Sequence, residues 1–404
     1  LLKLRAGWGA TGNAEIGFYP DATALATPTQ SGYNINGDEG QYLPGATLLN
    51  SLGNRSVRWE TVRSLNVGID ANFLFDKIQT TFDYFERNST DLLTEIPISD
   101  NLGLWSGNAS PTVNLGEVSN RGFEASVSYR SYEKEVKYSV SGNYTYLVNN
   151  VVNLNGGPPI AQTWTLTAEG RAIGAFYGLV TDGIFQNEGE VAAHADQSDI
   201  SQGEAVVPGD IRYVDINGDG RVTLAGDRAW IGNPIPRHSL GFNFDANWKG
   251  FDVLVFGQGV IDLDVQNNIR RRLALPNNLP GESLQATNKL NDASDYWTPQ
   301  NTGASLPRLA INANNNTALS DFFLEDASYF RLRNVQIGYS LQENLLNTLG
   351  ASRVRVYAGV QNLLTLTNYS GLDPEIGGGN LSTGIDSGSY PQARTYLFGV
   401  NIEL

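Results

Sequence analysis

The chain has 404 residues, with 27 Lys and Arg against 42 Asp and Glu, a formal net charge of -15. That excess of carboxylates disfavours nucleic acid as a partner and favours divalent cations. The absence of cysteine excludes disulfides, thiolate metal sites and cysteine nucleophiles, and no apolar run approaches the roughly 20 residues that a membrane-spanning helix needs.

Ten strands are expected, near residues 1–8, 60–74, 77–88, 119–131, 136–149, 237–248, 251–262, 328–340, 353–366 and 392–404. The first opens inside a patterned run, so more chain is expected upstream. The alternation is strictest in four of them. In 64–73, Leu65, Val67, Ile69, Ala71 and Phe73 alternate with Ser64, Asn66, Gly68, Asp70 and Asn72. In 137–148, Tyr138, Val140, Tyr144, Tyr146 and Val148 share one parity; in 239–248, Leu240, Phe242, Phe244, Ala246 and Trp248 do so. The last run places Tyr396, Phe398, Val400, Ile402 and Leu404 together. A period of two marks a strand with one apolar and one polar face. Segment 251–260 carries the pattern on one half only.

The connections alternate as well. Short ones (75–76, 133–135, 249–250 and the modest 342–352) take turns with long ones (9–59, 89–118, 150–236, 263–327 and 367–391) rich in Gly, Asn, Asp, Ser and Pro. Long loops are uncommon inside a compact soluble domain, whereas outer-membrane barrels combine short periplasmic turns with long extracellular loops. If the last strand runs toward the periplasm, every long loop falls outside and every short turn inside. The expected fold class is therefore all-β, a transmembrane antiparallel β-barrel. A soluble sandwich would alternate too, but it would bury its apolar faces against a second sheet and has no need of this parity. Trp8, Trp59, Tyr84, Tyr129, Tyr144, Trp248, Tyr339 and Tyr396 lie near strand ends, where interfacial girdles sit.

Few groupings point to chemistry. Asp215, Asn217, Asp219 and Gly220 have the spacing of a calcium loop, in which oxygens at alternate positions converge on one hard cation. Arg221 would add a backbone carbonyl. The standard closing carboxylate is missing, since Gly226 holds its place and Asp227 comes one residue late. The expectation is bound calcium or magnesium bracing the loop; the alternative is an ion-free turn closed by Asx hydrogen bonds. His194 and His238, the only histidines, sit in no cluster. Trp105, Trp164, Trp230 and Trp297 fall in expected extracellular loops, where they either stack on substrate or pack the loops together. Arg270, Arg271 and Arg272 form a basic run suited to a solvated loop, an acidic partner or lipopolysaccharide phosphates. Asn88, Asn143 and Asn315 each open a glycosylation-type triplet.

Several segments together resemble the SusC/RagA family of TonB-linked outer-membrane proteins: KLRAGWGATGN at 3–13, RWETVRSLNVGID at 58–70, NLGEVSNRGFEASVSY at 114–129 and FYGLVTDGIFQN at 176–187. PGDIRYVDINGDGRVTLAGDRAWIGNPIP at 208–236, YWTPQNTGASLPRL at 296–309, EDASYFRLRNVQIGY at 325–339 and RVRVYAGVQNLL at 353–364 continue the series in family order. The resemblance implies a barrel of about 22 strands, of which these ten are the last, with an N-terminal plug and first strands outside residues 1–404. It also implies TonB-driven import of glycans, oligosaccharides or peptides and no enzymatic activity. The implied partners are TonB through that N-terminal region, a SusD-like surface lipoprotein over the mouth, and outer-membrane lipid and lipopolysaccharide around the wall. The family often ends on an aromatic residue, whereas this chain ends on Leu404. The alternative function is a barrel used as a structural scaffold in a larger surface or secretion assembly.

Overall fold

A computed structural model describes residues 1–13, 21–26, 48–95, 112–114, 116–275, 295–309, 314–342, 346, 351–379 and 381–403. Its main feature is one ten-stranded antiparallel sheet in which every strand pairs with the next wall strand along the chain. The strands are β1 (Leu2–Asn13), β2 (Glu60–Phe73), β3 (Ile78–Thr90), β4 (Glu117–Ser131) and β5 (Lys137–Asn153). They continue as β6 (His238–Trp248), β7 (Phe251–Ile261), β8 (Tyr329–Ser340), β9 (Arg353–Thr367) and β10 (Thr395–Glu403). All ten expected strands are present. The other described sheets have two to four short strands each and lie in the long connections, so none backs the wall as the second layer of a sandwich.

The register keeps apolar residues level with one another. Ile69 lies opposite Leu4 on one side and Phe82 on the other. Val67, Ile69 and Phe73 remain 42–54% exposed. An apolar surface that broad belongs against lipid rather than water. Aromatic rings collect at its two ends. Beside the short turns, Tyr129 lies 5.8 Å from Tyr138 and Phe251 4.6 Å from Tyr339, with the Lys249 amine 5.5 Å from the Trp248 ring. Toward the other end, Phe123, Tyr144, Tyr146 and His238 form a second group, and the Tyr144 hydroxyl lies 2.6 Å from His238 Nδ1. Rings with a polar tip suit the level where hydrocarbon meets headgroups.

The half-pattern of 251–260 has a packing explanation. Gly257 and Gly259 occupy outward positions of β7, and the Phe330 ring of β8 lies across both. The apolar surface that β7 lacks is supplied by its neighbour. The tight turn at Lys249 and Gly250 has φ of 48° and 88°, the paired left-handed residues of a type I′ hairpin.

The inner face is polar and laced by ion pairs that skip a strand. Arg5 on β1 binds Asp70 on β2 through two 2.8 Å bonds and Asp83 on β3 at 3.0 Å. The reach to β3 passes over Gly68, where a Cβ would lie 2.0 Å from Asp83 Oδ1. The same device recurs at β7–β9: Arg355 donates to Asp252 at 2.8 and 2.5 Å across Gly338, whose Cβ would lie 2.5 Å from Asp252 Oδ1. Glycine is required at both positions because a guanidinium–carboxylate pair occupies the side-chain space of the middle strand. Gly338→Ala is expected to destabilise the wall by about 1–3 kcal/mol, read by denaturant unfolding of the folded barrel. In a background already lacking the pair (Asp252→Ala with Arg355→Ala), Gly338→Ala should cost far less, so an undiminished cost there would count against this account.

Candidate functional site at the barrel mouth

The three long connections described most fully, 154–237, 262–328 and 368–394, interlock above the wall. In the first, short strands Ile160–Ala161, Thr165–Thr167, Ala175–Leu179 and Arg228–Gly232 form a four-stranded sheet. In the second, Asp264–Asn267 pairs with Leu324–Asp326 and, in parallel, with Ile385–Asp386 of the third. One apolar cluster gathers Leu179, Ile200, Ile211, Tyr213 and Val222; another gathers Ala274, Leu275, Tyr296, Leu306 and Phe323. Phe322 packs on both, which joins the first two loops.

Buried polar groups fasten the same seam. Asp210, 1% exposed, accepts from Arg308 at 2.6 and 3.3 Å, from the Asn316 side chain at 3.0 Å and from the Val207 amide at 3.0 Å. Asn316 accepts from the Ile211 amide at 2.8 Å, and the Tyr213 hydroxyl donates to the Asn315 carbonyl at 2.6 Å. Apart from the local Val207 bond, each of these joins residues about a hundred positions apart. Asn315, which opens a glycosylation-type triplet, is buried in the clasp.

The first two residues of the basic run are structural. The run lies on the helix Asn268–Ala274, where Arg270 pairs with Glu325 at 3.4 Å. Arg271, 2% exposed, donates to the Thr317 carbonyl at 2.8 Å and stacks 5.2 Å from the Trp164 ring. The expectation of a solvated loop or a phosphate contact therefore fails for Arg271, which joins its own loop to Trp164 of the first; Arg270 is half-buried against Glu325 of the same loop.

The tryptophans go the same way. Trp164 and Trp297 are buried, and Trp297 Nε1 donates to Gln186 Oε1 at 3.0 Å. Trp230 is half-buried, 4.9 Å from the Tyr177 ring and 5.2 Å from the Arg171 guanidinium. Trp105 lies outside the described residues. Among the described residues of the third loop, Tyr390 at 92% and Leu372 at 72% stand exposed. Their loop is held to the wall by Arg331, which donates to Asp373 at 2.6 Å and to Glu375 at 2.9 Å. Two charges flanking Pro374, 42 and 44 residues downstream of their partner, give no local sequence signal.

The 215–227 loop closes on itself. Asp215 accepts from the amides of Gly218 and Gly220, both at 2.8 Å, Asn217 from that of Asp219, and Asp219 from that of Arg221. Asp227 is fully buried and accepts from the amides of Ile216 at 2.9 Å and Thr223 at 2.7 Å. Burial alone would raise its carboxyl, but the amides of Thr223, Asn217 and Ile216 outweigh that and hold it below the usual carboxylate range. Among the described residues, no three His, Asp or Glu side chains are grouped so as to hold a metal ion. His194 is part of the packing, its Nε2 2.8 Å from the Tyr213 carbonyl and its ring edge-on to Phe185.

A wall of this register, with short turns at one end and a built cap at the other, matches a known family. The profile described as "TonB dependent receptor-like, beta-barrel" matches residues 2–363. The chain belongs to that family. Similar relatives include TonB-dependent receptor P3 of Formosa agariphila, 32% identical over 99% of this chain and 39% of its own length. TonB-dependent receptor SusC of Bacteroides thetaiotaomicron is 29% identical over 100% of this chain and 37% of its own. Among solved structures, one titled "Structure of the RagAB peptide transporter" superposes with a TM-score of 0.76 at 22% identity, covering 99% of this chain and 40% of that one. The chain thus spans about two fifths of the length of the relatives it matches, and the SusC/RagA likeness read from its motifs stands.

The Arg331–Asp373 clasp makes a pH prediction. Burial would raise the Asp373 carboxyl, yet the amides of Gln392 and Glu375 and the Arg331 guanidinium hold it below the usual range. A carboxylate depressed in the folded state stabilises it above its unfolded pKa of about 3.9, and that contribution is lost as pH falls through the lower folded value. Hydrogen-exchange protection of 368–379 should therefore stay level from neutrality to about pH 5 and fall only below about pH 4. Asp373→Asn should lose protection at neutral pH and show no further acid step.

Proposed function

We propose that this chain forms the C-terminal wall and the extracellular cap of a TonB-driven outer-membrane importer for nutrients too large for general pores. The observation that carries this reading is the division of labour between the two ends of the wall. Turns such as 74–77 and 249–250 offer almost no surface, while the loops at the other end build a cap with its own apolar clusters and buried clasps. A cap that rigid suits the holding of a large substrate and a lid. The lid is a SusD-like surface lipoprotein, the substrate a glycan, oligosaccharide or peptide, and the plug and TonB contact come from chain upstream of residue 1. The protein performs no covalent chemistry in this scheme. Of the tryptophans, Trp230 keeps a partly open ring for substrate, while Trp164 and Trp297 act by shaping the cap.

The test is purification of the full-length protein from native membranes. A surface lipoprotein should be recovered with it, cross-linked to 154–237, 262–328 or 368–394, and uptake should stop when TonB is removed. Cross-links gathered on the short turns, or uptake indifferent to TonB, would contradict the reading. We also propose, on the D-x-N-x-D-G spacing, that calcium or magnesium braces the 215–227 loop. Added calcium should then slow proteolysis at this loop and a chelator restore it. No change in either direction would leave the Asx network as its only brace.

A further inference from the structure

The outer face of the wall is not evenly filled. Across β8–β10 it carries a groove of about 480 Å3 centred on Ala358 and bordered by Ile337, Tyr339, Val356, Phe398 and Val400. The register explains it. Ala358 lies opposite Ile337 on one side and Phe398 on the other, while Val356 lies opposite Tyr339 and Val400. A single methyl group therefore sits in a ring of longer side chains. Gly338 and Gly399, which alternate inward, leave bare backbone along the floor. Ile337, on a strand paired on both sides, is 53% exposed, so that flank stands proud of the centre.

The position of the groove says what fills it. Its lower end is closed by Phe251, whose ring packs on Tyr339 at 4.6 Å and which lies opposite Trp248. These residues belong to the aromatic girdle at the short-turn end, the level of lipid headgroups. The groove thus starts at the headgroup level, runs into the hydrocarbon zone and is apolar on every side. That is the outline of one lipid chain with its polar end at the girdle. A lone strand from another protein would bring backbone groups that need partners at the membrane depth, and the groove lining has none to offer.

We propose that this groove holds one acyl chain of a phospholipid of the periplasmic leaflet. A chain lying in it touches protein on three sides instead of one and gains dispersion contacts that a flat wall cannot give. Left empty, the same hollow would forfeit those contacts for its lining. The inference rests on the outward orientation of the wall and does not depend on what the protein transports.

Native mass spectrometry of the full-length protein, extracted mildly from its own membranes, tests the proposal. As collisional activation rises, one phospholipid should remain after the others have left. Ala358→Phe, which fills the hollow, should abolish that last singly lipidated species, whereas Ala246→Phe, at an outward position of β6 away from the groove, should keep it. If the phenylalanine variant fails to assemble, Ala358→Leu gives the same reading with a smaller side chain. Equal retention by Ala358→Phe and the unmodified protein would overturn the proposal, as would the absence of any retained lipid. A bilayer structure with a neighbouring strand or a second copy of the protein seated in the groove would overturn it equally.

Discussion

In hydrocarbon, an amide or carbonyl without a partner costs several kcal/mol, and everything else in this structure follows from meeting that requirement with strands. Ten strands in an unbroken antiparallel meander pair their backbone groups with each other. Once they do, the side chains have only two directions to go, and the period of two becomes obligatory. Leu4, Ile69 and Phe82 line up outward because their strands are locked in that register, and a slip of one residue would turn each of them into the lumen.

The polar side of the wall meets a different constraint. A lumen lined with charges must balance them without wide excursions of the backbone, and the two skip-strand pairs do so in the same way. Arg5 reaches Asp83 over Gly68, and Arg355 reaches Asp252 over Gly338. Removing the side chain of the middle strand lets three strands share one electrostatic contact. At the mouth, Arg331 does for the last loop what these pairs do for the wall, joining Asp373 and Glu375 to β8.

The wall was legible in the sequence because lipid and lumen impose a signal on every second residue. All ten strands appear where the alternation places them, and even the weak half of 251–260 is explained once Phe330 is seen to cover Gly257 and Gly259. The cap was not legible, for a physical reason. Its clusters draw Leu179, Ile211 and Phe322 from distant stretches with no period, and its clasp joins Asp210 to Arg308. A tryptophan with polar neighbours in sequence looks exposed; Trp164 is buried because Arg271, a hundred residues away, stacks on it. Arg271, inside the run of three arginines, looked solvated for the same reason. The 215–227 loop is a case where sequence and structure speak alike, since the spacing that suits a cation also suits the Asx turns that Asp215, Asn217 and Asp219 make.

The central claim is that adjacent residues of one strand face lipid and lumen in turn, and paired charge substitutions at mid-wall test it most directly. Phe242 and Asn243 sit side by side near the middle of β6. Folding free energies of the full-length protein in bilayers should fall by about 2–4 kcal/mol for Phe242→Arg and change little for Asn243→Arg. Equal costs at the two positions, or the larger cost at Asn243, would contradict the account.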